Sequence, residues 1–284
     1  MRRDFFMKKI QYYILTKSIG LYLNMLSFFN EEKAKNSAYN LFSQPRKGKI
    51  KKEKLPKTLQ KATFETFQYL DENFQTYIWK GDKNIILLIH GWESNSSRWK
   101  KLLHHLKPLG NTIIAIDGPA HGLSDGKEFN APKYAEFINV LTQKYQPKTI
   151  IGHSIGGAAI AYYLHKYKNP LIEKVVLLGS PSDFKILSDN FVSLLSLNKK
   201  IKIRLENYYQ EKFNIPIDDF SGHRFAKTFT QKAFIAHDTD DKVVLVEEGR
   251  KYASTWKNAI YYETSDLGHS MHDADLYQKI VDFI

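Results

Sequence analysis

The sequence predicts an α/β fold with a doubly wound, mostly parallel sheet, and two observations carry this prediction. From residue 62 onward, short apolar runs rich in β-branched residues alternate with helical patterns. This is the order produced by parallel sheets with helices on both faces. One such run, Thr149–His153, leads through a turn at Ser154 into the Ala-rich, helix-forming segment Ile155–Lys168. A strand, a sharp turn and a helix therefore surround a Gly-x-Ser-x-Gly sequence.

Length and composition are consistent with one large domain of this class. The chain has 284 residues, of which 43% are hydrophobic, so it can bury a sizeable core. It contains no cysteine, which excludes disulfides, thiolate zinc sites and cysteine nucleophiles. The formal net charge is +12, and residues 1–61 carry 15 Lys/Arg against 4 Asp/Glu, a net of +11. We therefore expect a nearly neutral globular body behind a basic N-terminal extension.

The predicted globular body covers residues 62–284. Its strands are Thr63–Leu70, Phe74–Lys80, Lys83–Ile89, Asn111–Ile116, Thr149–His153, Lys174–Leu178, Ala233–Ala236 and Ala259–Glu263. Its helices are Ser97–Leu106, Pro132–Tyr145, Ile155–Lys168, Glu247–Trp256 and Leu276–Ile284. An insertion over about residues 182–232 interrupts the alternation with amphipathic, aromatic-rich segments. It is interpreted as a small helical cap over the site, with extra packing at a sheet edge as the alternative.

The N-terminal extension, residues 1–61, begins with the basic segment Met1–Lys9 and continues into a helix. Ile10–Phe29 carries 13 apolar side chains, and on a helical wheel a narrow side with Lys17, Gly20, Asn24 and Ser27 faces away from a wide apolar face. Three interpretations compete. The helix docks on the globular body of its own chain, it lies in an anionic membrane surface, or it spans as a signal anchor. Lys17 and the short uncharged run argue against spanning.

The rest of the extension is predicted to be a second helix and a linker. The second helix begins at Asn30-Glu31-Glu32, with acidic residues in its first turn, and runs to about Phe42. In the linker, Arg46–Lys61, eight of sixteen residues are basic. No aromatic residues interleave these charges, so nucleic acid is not an expected partner. Contact between this basic strip and anionic lipid headgroups is the more plausible alternative to simple solvation.

Ser154 is the candidate nucleophile. A serine at a strand-to-helix turn is held in a strained backbone conformation with its hydroxyl directed outward. The flanking positions approach so closely that side chains would clash, which explains Gly152 and Gly156. The helix that follows directs free N–H groups and the positive end of its dipole toward the site.

A serine hydroxyl is a weak nucleophile, so it needs a base, and the base needs an orienting acid. In a doubly wound sheet these groups lie at the carboxyl ends of strands, and we expect them in the chain order Ser, acid, His. The run His237–Asp241 follows one predicted strand, and Asp266–His269 follows the next. Both therefore lie where the expected order requires.

These segments resemble α/β-hydrolase fold proteins of the serine esterase/lipase type over about residues 62–284. The resemblance rests on His90-Gly91-Trp92, Asp117–Ser124, Gly152–Gly157, Asp241–Val244 and Gly268-His269. It implies an α/β-hydrolase fold in which Ser154 is the nucleophile, Asp241 the acid and His269 the base. It also implies an oxyanion hole formed by the backbone N–H groups of Trp92 and Ile155.

Other polar residues near these motifs have their own expected roles. The family's usual His-Gly before the acid reads His237-Asp238 here, so Asp240 and Asp238 are alternative acids. His272 is the nearest alternative base. His153 is expected to pack beside the serine, His90 to shape the oxyanion loop, and Asp117 and His121 to brace a loop near the site. No His/Asp/Glu cluster has metal-ligand spacing, and no cofactor is expected.

The resulting hypothesis is hydrolysis of a carboxylic ester through an acyl-enzyme, with thioesters and amides as alternative substrates. The expected partner is a small-molecule acyl substrate, together with an anionic membrane surface contacted through residues 1–61. Two alternatives use the same fold: an acyltransferase and a non-catalytic, membrane-apposed binding protein. The expected location is the cytoplasm, with the inner face of the membrane as the peripheral alternative.

Overall fold

A computed structural model describes residues 2–284, with side chains for all of them except residues 2–6 and 8. Most side chains of the predicted basic segment Met1–Lys9 therefore lie outside the described residues. The chain divides into two compact units. We call Gln44–Ser182 with Ser221–Ile284 the sheet body, and Met1–Ser43 with Asp183–Phe220 the helical body.

The sheet body is built on one eight-stranded sheet. Its strands are β1 (Thr63–Tyr69), β2 (Glu72–Trp79), β3 (Ile85–Ile89), β4 (Thr112–Ile116), β5 (Thr149–His153), β6 (Lys174–Leu178), β7 (Lys232–Asp238) and β8 (Ala259–Thr264). Their order is β1-β2-β4-β3-β5-β6-β7-β8. The pairs β1–β2 and β2–β4 are antiparallel, and all the others are parallel. The predicted mostly parallel sheet is confirmed.

Helices connect the parallel strands, as crossover connections between parallel strands require. In the sheet body they are α3 (Lys57–Gln60), α4 (Lys100–Leu106), α5 (Ala131–Tyr145), α6 (Ile155–Tyr167), α9 (Gly222–Ala226), α10 (Val246–Thr255) and α11 (Ala274–Phe283). The central strands are mostly apolar because both faces of the sheet are covered. Leu88, Ile151 and Ala236 are fully buried in the same core cluster.

The basic run predicted as a linker is held by backbone hydrogen bonds within the sheet body. Lys49 and Gly122 form an isolated parallel bridge, with Gly122 N–H donating to Gly48 O at 2.9 Å and Ile50 N–H donating to Gly122 O at 3.0 Å. Lys49 Nζ donates to the Ser124 carbonyl. Part of this segment is therefore fixed by backbone hydrogen bonds, whereas Lys51, with most of its neighbours, is exposed.

The helical body consists of four helices from two distant parts of the chain. They are α1 (Arg2–Phe29), α2 (Glu31–Ser43), α7 (Phe184–Leu195) and α8 (Lys199–Phe213). Its core contains Leu23 of α1, Ala34 and Ala38 of α2, and Leu205 of α8. Arg204 on α8 binds Glu31 on α2 through two donors, at 2.9 and 2.6 Å. The N-terminal helices thus pack on the insertion, and the helical N-terminal segment is confirmed.

The part of the insertion that folds with the N-terminal helices is shorter than the predicted span of residues 182–232. It ends at Phe220. The following helix α9 belongs to the sheet body, where Phe225 stacks on His165 of α6 with ring centroids 4.0 Å apart. Gly222 lies so close to Tyr252 of α10 that a Cβ atom would come within 2.0 Å of its hydroxyl.

Candidate active site

The strand β5 ends in a tight turn at Ser154, and this turn determines where the serine hydroxyl lies. Ser154 has φ 55° and ψ −132°, a conformation that costs a non-glycine residue energy. A Cβ atom at Gly156 would lie 2.4 Å from the Ile89 carbonyl oxygen, and one at Gly152 would lie 2.5 Å from Ile160. The predicted clash at both flanking glycines is confirmed, so only glycine permits this close approach.

A histidine and a carboxylate lie in line with the serine. His269 Nε2 is 2.9 Å from Ser154 Oγ, and His269 Nδ1 is 2.7 Å from Asp241 Oδ2. In this geometry the Nδ1–H donates to the carboxylate, which leaves Nε2 free to accept the serine proton. The loops after β5, β7 and β8 bring the three residues together because parallel strands end at the same edge of the sheet.

Asp241 is held as a buried anion. Its Oδ1 accepts backbone N–H groups from Val243 and Val244 at 2.8 and 2.9 Å, while Oδ2 faces His269. Burial opposes ionisation, but contacts with His237 and His269 and the Val244 N–H outweigh it and hold the pKa of Asp241 well below its usual range. The carboxylate is therefore ionised and oriented toward the imidazole.

The other two aspartates of the loop have different partners. The carboxylate of Asp238 accepts four hydrogen bonds at 2.7–3.1 Å, from Thr264 Oγ1 and the N–H groups of Asp240, Leu267 and Gly268. Asp240 Oδ2 accepts the Asp266 N–H at 3.0 Å. Asp238 thus links the loop after β7 to the segment just before His269. In the described structure neither the Asp238 nor the Asp240 carboxylate forms a hydrogen bond with the imidazole of His269.

The candidate oxyanion donors have no competing acceptor. In the part of the chain that the structure describes, neither the Trp92 nor the Ile155 backbone N–H donates to another protein group. Ile155 is the first residue of α6, where helix N–H groups lack partners and the dipole favours negative charge. A Cβ atom added to Gly91, the residue before Trp92, would lie 2.9 Å from Ser154 Cβ.

Two neutral histidines brace the loop that contains Trp92. His90 Nδ1–H donates to Gly91 O at 2.7 Å, and its Nε2 accepts the Gly118 N–H at 2.8 Å. His121 Nε2 accepts the Glu93 N–H at 2.9 Å. Asp117 is completely buried and accepts N–H groups from Ser96 and Leu123 at 2.8 and 2.9 Å. These groups connect the loops after β3 and β4, as their positions in the sequence predict.

Comparisons with known proteins agree with this architecture. The family model described as alpha/beta hydrolase fold matches residues 84–214. The solved esterase RhEst1 from Rhodococcus sp. ECU1013 superposes with a TM-score of 0.58, at 17% identity, over 78% of this chain and 98% of that one.

The chain has the α/β-hydrolase fold.

The matches to curated relatives cover only part of each relative's length. The bifunctional esterase/perhydrolase DCH of Acinetobacter calcoaceticus is 32% identical over 105 residues, which cover 35% of this chain and 37% of that protein. The non-heme chloroperoxidase CPO-A1 of Kitasatospora aureofaciens is 30% identical over 115 residues, covering 38% of this chain and 41% of that protein. The chain thus spans about two fifths of the length of both relatives.

Sequence reasoning missed how closely His153 contacts His269. The ring of His153 lies 4.9 Å from that of His269, and its Nε2–H donates to the His269 backbone carbonyl at 2.7 Å. Burial lowers the pKa of His153 far below its usual value, so the ring is neutral. His153 therefore helps to fix the backbone that carries the imidazole of His269.

The alternative base lies apart from the serine. His272 Nδ1 contacts the hydroxyl of Tyr277, and burial, followed by nearby Arg98, lowers the pKa of His272 to about 4. Among the described residues, His269 alone forms a hydrogen bond with Ser154 Oγ. The described residues also contain no group of three His, Asp or Glu side chains that could hold a metal ion.

Folding of this α/β-hydrolase is expected to weaken by about 2 kcal/mol between pH 7.5 and about pH 5 through His90 alone. Burial lowers the pKa of His90 to about 4, against about 6.5 when unfolded. Below about pH 6.5 His90 becomes protonated in the unfolded chain but stays neutral in the folded chain, so the free energy of unfolding decreases as the pH decreases. Urea unfolding of wild type and His90→Gln at both pH values measures this, and equal losses in both proteins would contradict it.

Proposed function

We propose that the protein is a serine hydrolase that cleaves a carboxylic ester through an acyl-enzyme intermediate. The observation that carries the proposal is the unbroken row from Ser154 Oγ to His269 at 2.9 Å and from His269 to Asp241 at 2.7 Å. Such a row supplies what an unreactive hydroxyl needs, namely a base in contact with it and an anion that stabilises the protonated base.

In the first half of the reaction His269 takes the proton of Ser154 while Oγ attacks the substrate carbonyl carbon. The resulting imidazolium is stabilised by Asp241, which remains ionised throughout. The protonated His269 then gives its proton to the leaving alcohol, and the carbon–oxygen bond to that alcohol breaks. An acyl group is left on Ser154.

The oxyanion of each tetrahedral intermediate would be held by the N–H groups of Trp92 and Ile155. Fixed donors of this kind stabilise charge that develops only in the transition state, so they accelerate the reaction rather than tighten substrate binding. In the second half, His269 takes a proton from water as the water oxygen attacks the acyl carbon. His269 then gives that proton to Ser154 Oγ as the bond between Oγ and the acyl carbon breaks, which releases the acid and restores the free serine. No cofactor takes part in these steps.

Esters are favoured over other acyl substrates because the relatives include an esterase by name. Thioesters and amides remain alternative substrates of the same chemistry, since the carbonyl and its oxyanion are common to all three. An alcohol in place of water in the second half would make the protein an acyltransferase.

A fluorophosphonate probe tests this function directly, because it forms a stable bond only with an activated serine. We expect the probe to label one serine, Ser154, in native but not in heat-denatured protein, and chromogenic esters of increasing acyl length to be hydrolysed at different rates. Labelling should be identified by peptide mass spectrometry. A native protein that is not labelled and hydrolyses none of the esters would instead support the non-catalytic binding protein.

A further inference from the structure

Helix α1 buries its polar side. Lys17 Nζ donates to the carbonyl oxygens of Ser193 and Leu194 at 3.2 and 3.0 Å and to Ser196 Oγ at 2.8 Å, at the C-terminal end of α7. Helix ends carry unpaired carbonyl groups and partial negative charge, so a lysine is a suitable partner there. Gly20 allows this approach, because a Cβ atom on it would lie 1.6 Å from the Leu195 carbonyl oxygen.

The same side of α1 continues to bind the junction between α7 and α8. Asn24 donates to the Ser196 carbonyl at 2.9 Å and accepts the Asn198 N–H at 2.8 Å. Ser27 Oγ accepts from Asn198 Nδ2 at 3.0 Å and is 1% exposed. The narrow polar side seen in the sequence is therefore the docking surface of α1 within the helical body.

The opposite side of α1 is open to solvent and largely apolar, with Ser18 as a polar residue within it. We call it the apolar face, and it includes six side chains that are each more than half exposed: Ile14, Leu15, Leu21, Tyr22, Met25 and Phe28. Around the helix axis, at 100° per residue, these six lie on one side and the docking residues Gly20 and Ser27 on the other. From Ser18 to Asn30 the helix carries no charged residue.

A helix usually turns its apolar side to the core and its polar side to water. Helix α1 instead docks through its polar residues together with Leu23, and leaves many of its large apolar side chains in water. Each large side chain left in water forgoes stabilisation that burial would supply, and contiguous exposed patches of this kind mark interaction sites. We propose that the apolar face of α1 lies in the headgroup region of a lipid bilayer, with the polar side directed to α7 and α8. This inference does not depend on the proposed hydrolase activity.

Charge and aromatic content favour lipid over a second protein surface. The sequence places Arg2, Arg3, Lys8 and Lys9 at the start of α1, where anionic headgroups would attract them. Tyr22 and Phe28 add aromatic rings, which are favoured at the boundary between headgroups and hydrocarbon. In the described part of the chain no helix is both long and apolar enough to cross a membrane. The geometry therefore points to a helix lying in the surface of the bilayer.

The test is flotation of the full-length protein with vesicles of phosphatidylcholine alone and of phosphatidylcholine with 30% phosphatidylglycerol. We expect the protein to float with the anionic vesicles, and more weakly at high salt. The double variant L15E/L21E is expected to reduce this binding by about a hundredfold, because each leucine contributes roughly tenfold through burial. Both residues are exposed, so the variant should keep the thermal unfolding temperature of wild type.

The matched control is L70E/L171E, which makes the same change at two exposed leucines outside α1 and adds the same negative charge. It should bind vesicles as wild type does. Wild-type protein that floats with neither type of vesicle would overturn the proposal. So would a stable dimer in light scattering that L15E/L21E converts to a monomer without any vesicle binding, since a second copy would then occupy the face.

Discussion

Replacing Ser154 with alanine is expected to lower ester hydrolysis by at least about 10⁴-fold and to abolish fluorophosphonate labelling. Without Oγ no acyl-enzyme can form, and His269 has nothing to deprotonate except water. Because Ser154 occupies a strained turn that alanine can also adopt, the fold and the thermal unfolding temperature should be retained. Steady-state rates on a short chromogenic ester, together with circular dichroism, measure both effects.

The control is Ser270→Ala, which removes an exposed hydroxyl one residue after His269. Its side chain donates only to the Leu267 carbonyl, at 3.1 Å, so activity should stay within a few-fold of wild type. A Ser154→Ala protein that retains activity within tenfold of wild type would exclude Ser154 as the nucleophile.

Replacing Asp241 with asparagine is expected to lower turnover by about 10⁴-fold, the size of effect known for this change in serine triads. The amide is uncharged, so it cannot stabilise the imidazolium of His269, and its NH₂ group favours the wrong imidazole tautomer. The volume is unchanged and the two valine N–H groups can still bind the amide oxygen. The rate on the same ester, followed over a range of pH, measures the loss.

Asp240→Asn and Asp238→Asn are matched controls within the same loop. Asp240→Asn should be nearly silent, because among the described residues its carboxylate accepts only the exposed Asp266 N–H. Asp238→Asn should lower the unfolding temperature more than the rate at saturating substrate, since Asp238 holds the loop before His269. If Asp240→Asn is the more damaging of the three changes, the acid lies one residue earlier than proposed.

The sheet could be predicted because its strands carry a strong local signal. Runs such as Ile85–Ile89 and Lys174–Leu178 are short, apolar and β-branched, and they are bounded by loop residues. Their parallel arrangement follows from the helices between them. The tight turn at Ser154 could be predicted because its strand, turn and helix are consecutive in the sequence. The Ile89 carbonyl that approaches Gly156 comes from a distant strand, β3.

The loop after β7 was harder to interpret because three aspartates lie within four positions, 238 to 241. Which carboxylate faces His269 depends on where β7 ends and how the loop turns, and no spacing rule specifies that. Asp238, which stands where the family usually has glycine, accepts hydrogen bonds from the Leu267 and Gly268 N–H groups, and these lie in the loop after another strand, β8. Contacts of this kind have no signature in the local sequence.

The surroundings of α1 could be predicted only in part. The helical wheel correctly separated Lys17, Gly20, Asn24 and Ser27 from the apolar side, but it could not say which side would dock. The partners of Lys17 are backbone carbonyls at the end of α7, and a helix end offers such groups whatever its side chains are. The sequence analysis treated docking and membrane contact as alternatives. In the structure α1 docks on α7 and α8 through one side and leaves an apolar face exposed on the other.

The division of the helical body between two distant segments has a consequence for synthesis. Lys17 and Ser196, which it brings together, are 179 residues apart. At about 5–20 residues per second, a ribosome needs roughly 7–30 s to add the segment between α2 and α7. Phe220, the last residue of the helical body, emerges from the ribosome before β7 and β8 do. Asp241 and His269 therefore emerge after the helical body, and until then the nascent chain presents Ser154 without His269.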